Sequence, residues 1–93
     1  MIIGSCEIEL LIYEANSLKE KRHVIKSIIA RIQSRYNVSI CEVDLHDTWR
    51  KSVIGFACVS NSTSHANSMI SKVLKYIEND SRVEIISHHI EIL

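Results

Sequence analysis

Two hydrophobic periods take turns along this chain, and their order leaves few folds open. Across residues 2–13, Gly4, Cys6, Ile8, Leu10 and Ile12 fall on one side and Ser5, Glu7 and Glu9 on the other. A period of two marks a half-buried strand. Asn16-Ser17 interrupts it, and Ser17-Leu18-Lys19-Glu20 has the form of a capping box. There Ser17 is expected to accept from the Glu20 amide, with Glu20 reaching back to the amide of Ser17. Leu18, Ile25, Ile28, Ile29, Ile32 and Tyr36 then follow at helical spacing, and Asn37 is a natural stop.

Val38–Val43 is short and β-branched and reads as a second strand. Asp44–Lys51 is polar and turn-like and carries Trp49, and Ser52–Val59 is a third strand with Gly55 in its middle. A mid-strand glycine marks a bulge or a close approach. Ser60–Ser64 offers several N-caps for a second helix carrying Ala66, Met69, Ile70, Val73 and Ile77. Asn79-Asp80-Ser81 is a turn, and Val83–Leu93 a final strand. The order βαββαβ, with right-handed crossovers, implies a ferredoxin-like plait: a four-stranded antiparallel sheet with both helices on one face. The other face is left open, with Ser5, Glu7 and Glu9 on it. Both alternating sets of strands 2 and 3 contain apolar residues, so the pattern does not select their buried side.

Ninety-three residues suit one domain, and 46% hydrophobic with 24% charged residues is an ordinary globular balance. No apolar run approaches the roughly 20 residues of a membrane span. The start, Met1-Ile2-Ile3-Gly4, lacks a basic n-region and long apolar h-region and reads straight into a strand, so a cytoplasmic location is expected. Cys6, Cys41 and Cys58 form no C-x-x-C pair and sit in apolar segments, which fits reduced core residues better than a metal or redox centre.

Net charge is zero, but its distribution is uneven. Between Ser17 and Tyr36 lie Lys19, Lys21, Arg22, Lys26, Arg31 and Arg35 against Glu20 alone, a surplus of five positive charges that the rest of the chain balances. Arg22 with Lys26, and Arg31 with Arg35, are like-charge pairs four residues apart, each costing a few tenths of a kcal/mol. Lys19, Lys21 and Arg22 also crowd the helix N-terminus, where the macrodipole disfavours cations. An arrangement that local energetics oppose points to something anionic outside the chain, and phosphate contacts on ribosomal RNA would answer it. A solvated face, or attraction to the acidic remainder of a second copy, answers it as well. Trp49, beside Arg50 and Lys51, suits stacking on a base, anchoring a protein interface, or folding back over the core.

Glu42, Asp44, His46 and Asp47 are the best enzyme-like cluster, yet they match no fixed metal-binding pattern, and turns are rich in aspartate for backbone reasons. His88 and His89 are neighbours in a strand and point to opposite faces. With only two glycines there is no phosphate-cradling loop and no nucleophile elbow. No catalytic residue, metal or cofactor is expected.

Ser17-Leu18-Lys19-Glu20-Lys21-Arg22, Asn37-Val38-Ser39, Glu42-Val43-Asp44, Asp47-x-Trp49, Val59-Ser60-Asn61 and the final Ile90-Glu91-Ile92-Leu93 together resemble the YlxP-like family of small bacterial proteins, essentially end to end. The resemblance implies the ferredoxin-like plait and a gene set among translation and ribosome-maturation genes, and it brings no catalytic residue with it. The expectation is therefore a non-enzymatic RNA- or ribosome-binding accessory protein, with Lys19, Lys21, Arg22, Lys26, Arg31 and Arg35 meeting phosphates and Trp49 stacking. The alternative is a homodimeric interaction module, and a small enzyme or metal sensor built on Glu42, Asp44, His46 and Asp47 ranks third.

Overall fold

In a computed structural model describing residues 1–93, the chain forms β1 (Ile2–Ile12), α1 (Leu18–Arg35), β2 (Ser39–Asp44), β3 (Lys51–Ser60), α2 (Thr63–Glu78) and β4 (Val83–Ile92). The strands make one antiparallel sheet in the order β2-β3-β1-β4. The element order and the ferredoxin-like plait are those the periodicities imply.

Register decides which side of β3 is buried. Because β1 pairs Cys6 with Phe56 and Ile8 with Ile54, the apolar set of β1 carries Ile54, Phe56 and Cys58 to the helical side. Val53, Gly55 and Ala57 are left on the open face beside Glu9, Glu7 and Ser5. On β2 the same logic buries Ile40, opposite Phe56, and exposes Cys41, opposite Gly55. This corrects the expectation that all three cysteines are core residues: Cys6 and Cys58 are buried and Cys41 is exposed. Burial, with Glu7 adding to it, pushes the Cys6 thiol up to about 11.

The core is a cluster of 15 buried residues between sheet and helices, with Ile25, Ile28 and Ile32 from α1 and Ile70, Val73 and Ile77 from α2. Helix α2 lies over β1, β4 and β3, whereas α1 packs on β2. Gly4 lets β1 and α2 meet, since a Cβ there would sit 3.0 Å from Ile70 Cδ1 and 3.3 Å from Ala66 Cβ. Gly55 admits Val43, whose Cγ1 would lie 3.0 Å from an added Cβ. The far ends of the helices are joined by Tyr36 and Tyr76, edge to face at 6.1 Å. No helix is long and apolar enough to cross a membrane.

Candidate nucleic-acid interface

Helix α1 begins where the capping residues place it, with one difference in detail. Ser17, in extended backbone, accepts from the Glu20 amide at 3.1 Å. The Glu20 carboxylate reaches one residue further back than expected and accepts from the amide of Asn16 at 2.7 Å. Both contacts satisfy amides at or beside the first turn that would otherwise lack partners.

Successive helical residues are rotated by about 100°, and this divides the six cations of α1 into three groups. Lys21 shares the stripe of Ile25, Ile28 and Ile32 and is fully buried. It is therefore removed from the set expected to meet phosphates. Its Nζ donates to Leu45 O at 2.8 Å and His46 O at 3.2 Å and lies 2.6 Å from Glu42 Oε2. Three protons thus find three acceptors, the condition under which a buried ammonium is tolerated. Glu42 Oε2 also accepts from the buried Ser52 hydroxyl at 2.5 Å.

This buried group organises the loop between β2 and β3. Leu45 has φ 59, a left-handed conformation costing a branched side chain about 1–2 kcal/mol, and Lys21 binds the carbonyl that this conformation turns inward. The Asp44 side chain accepts from the Leu45 amide at 2.8 Å, and a His46 ring nitrogen lies 3.0 Å from Glu42 O. From the far end of the loop, Arg50 Nε donates to Ala15 O at 3.1 Å and its Nη2 to Asn16 Oδ1 at 3.4 Å. The β1–α1 and β2–β3 loops are thereby fastened together at the start of α1, and Trp49 projects from the joined loops, 53% exposed. The ring is thus not buried in the core and remains available for stacking or for an interface.

Lys19, Arg22 and Lys26 form the second group, exposed on one face of α1 together with His23. Only Arg22 has an acidic neighbour, Asp47 at 3.8 Å, with both side chains more than half exposed. Such a pair contributes roughly 0–1 kcal/mol. Arg31 and Arg35 make the third group on the opposite flank, facing α2. Arg35 stacks over Tyr76, 5.0 Å from the ring centroid. Arg31 lies in the field of Asp80, whose carboxyl is held below its ordinary range chiefly by the Arg82 side-chain hydrogen bonds, against the effect of burial. Arg82 also donates to Ser27 on α1 at 3.2 Å.

Glu42, Asp44, His46 and Asp47 are not gathered: Glu42 turns in to Lys21 and Ser52, while Asp44 is held by its own loop. No three His, Cys, Asp or Glu side chains are grouped as metal ligands. Ser52 and Arg82 hold the site in shape without having been read from sequence, and Glu42 and Arg50 do so in roles other than the cluster member and neighbour of Trp49 that the sequence offered. One signal did point at Lys21: it stands three residues after Leu18 and four before Ile25, on the apolar stripe.

The chain is similar to a de novo designed protein with a ferredoxin fold solved by solution NMR, at TM-score 0.56 and 18% identity over 98% of this chain and 86% of that one. It is 42% identical over 83 residues to the uncharacterized protein YlxP of Bacillus subtilis (strain 168), covering 89% of this chain and 90% of the relative. The family model described as a protein of unknown function, DUF503, matches residues 3–90. With nearly its whole length matched by that model and by a YlxP relative, the chain belongs to the DUF503 family of YlxP-like proteins.

Proposed function

We propose that this chain is a non-enzymatic RNA-binding accessory protein that acts on ribosomal RNA or a ribosomal subunit, in ribosome maturation or translation in the cytoplasm. The observation that supports this reading is the joining of an exposed cationic face to an exposed aromatic ring. Lys19 and Lys26 have no ion-pair partner, Arg22 has only a long and solvated one, and Trp49 stands on the loop that Lys21 and Arg50 tie to the same end of α1. Cations along a backbone track with an aromatic platform beside them are the elements of sequence-tolerant single-strand binding. The cations supply counterion release, and a stacked base adds about 1–3 kcal/mol. Arg31 and Arg35 face α2 and contribute at most at the margin.

Co-sedimentation with purified ribosomal subunits tests this. Wild type is expected to pellet with a subunit at low salt, and the Lys19→Glu/Arg22→Glu/Lys26→Glu variant to remain in the supernatant. Equal pelleting of the two proteins would remove α1 as the binding surface. A homodimeric interaction module is the second reading, favoured by the opposition of a basic α1 to an open face bearing Glu7 and Glu9.

A further inference from the structure

The two edges of the sheet differ. β2 is six residues long, shifts register between Glu42 and Asp44, and runs into the loop fastened to α1. Short length and a bulge are the ordinary protections of an edge strand. β4 runs ten residues, Val83–Ile92, without proline or lysine, and everything from Ile86 to Glu91 is exposed. Ile86, Ile90 and Leu93, at 46%, 39% and 68% exposure, are three of the eight large apolar side chains the surface shows.

The ladder identifies which backbone groups of β4 are unpaired. Ile3 and Leu93 exchange both hydrogen bonds, at 3.0 and 2.8 Å. Exchanging and non-exchanging pairs alternate in an antiparallel ladder. Glu91, His89 and Ser87, opposite Ser5, Glu7 and Glu9, therefore turn their N–H and C=O groups toward β1. Ile92, Ile90 and His88 turn theirs outward.

We propose that β4 pairs antiparallel with β4 of a second copy of this chain about a two-fold axis at Ile90, joining two sheets into one of eight strands. This deepens the homodimeric reading and rests on it. Outward-facing residues must pair with one another, which permits few registers. The axis at Ile90 sets Ile90 against Ile90 and His88 against Ile92, giving about six backbone hydrogen bonds. It also makes two non-exchanging pairs of His89 with Glu91 of the second copy, with Cβ atoms about 5 Å apart. These are the same two side chains that meet at 3.0 Å within one strand. Moving the axis to His89 sets imidazole against imidazole and Ser87 against Glu91. Moving it to His88 runs the pairing into the register shift between Ile85 and Ser87. Of these, only the Ile90 axis sets an imidazole opposite a carboxylate that can accept a hydrogen bond from it. The two-fold then stands perpendicular to the sheet, so both α1 helices lie on the same side of the joined sheet, over its two outer edges.

Light scattering on the full chain across a micromolar concentration series tests this, with far-ultraviolet circular dichroism as the check on folding. Wild type is expected to be a dimer. Ile90→Pro removes an outward N–H and no bond to β1, and Glu91→Lys replaces the carboxylate opposite each His89 by an ammonium, which cannot accept from the imidazole; each is expected to weaken dimerisation about tenfold or more. The double variant His89→Glu/Glu91→Lys sets a carboxylate opposite an ammonium in each pair and should restore the dimer. A dimer indifferent to all three variants overturns the β4 interface while leaving the homodimeric reading intact. A monomeric wild type overturns both.

Discussion

Replacing Lys21 by methionine keeps the length and apolar volume of the side chain and removes only the ammonium. The Glu42 carboxylate, its side chain 14% exposed, then loses its counter-charge, and the carbonyls of Leu45 and His46 lose their donor. Breaking a buried pair from one side costs about 3–5 kcal/mol. Glu42 keeps the Ser52 hydroxyl and some access to water, which places the expected loss near the lower end, about 3 kcal/mol. For a domain of this size that is a fall in Tm of about 15 °C. Lys21→Met/Glu42→Gln removes both charges together and is expected to be the more stable of the two variants, because the penalty lies in the unpaired carboxylate. Urea unfolding followed by circular dichroism measures both. Lys21→Met within about 0.5 kcal/mol of wild type, a size typical of neutral surface changes, would refute the buried network, as would a double variant no more stable than the single.

Two further expectations follow from titrating groups. Asp80 has its folded-state pKa lowered, first by the side-chain hydrogen bonds from Arg82, so its contribution is present above the unfolded carboxyl value and lost as pH falls through the folded one. Asp80→Asn should therefore cost about 1 kcal/mol at pH 7, and the gap from wild type should close as urea titrations are taken below about pH 4. The Cys6 thiol, raised to about 11, stays protonated at neutral pH, and its share of stability is lost only as pH rises from the ordinary thiol range toward that value. Alkylation of the native protein at pH 8, read by mass spectrometry, should mark Cys41 alone, with Cys6 and Cys58 reacting after denaturation.

Much of the fold was legible because local and global preferences agree. The alternation from Gly4 to Ile12, the cap at Ser17 and the stripe from Ala66 to Ile77 each suffice to define an element. What remained illegible depends on pairing across the chain. Val53 and Ile54 are equally apolar, and only the register with Glu9 and Ile8 determines which is buried. The fate of Lys21 turned on Glu42 and on two loop carbonyls more than twenty residues away. A lysine among isoleucines reads as surface charge until such partners are known. The cations of α1 were visible as a group, yet their division into a free face, a buried anchor and a flank against Tyr76 and Asp80 needed the packing of both helices.

The Lys19, Arg22 and Lys26 face of α1, with Trp49 beside it, is the surface proposed to bind RNA. Trp49 is the only tryptophan, so its fluorescence can be titrated with purified ribosomal RNA from 50 to 200 mM salt. Three phosphate contacts on single-stranded RNA imply an affinity falling about 20-fold over that range. Quenching with that slope is expected, lost in Lys19→Glu/Arg22→Glu/Lys26→Glu and kept in Arg31→Gln/Arg35→Gln. Absence of quenching at 50 mM salt, or binding indifferent to salt and to the triple reversal, would contradict it.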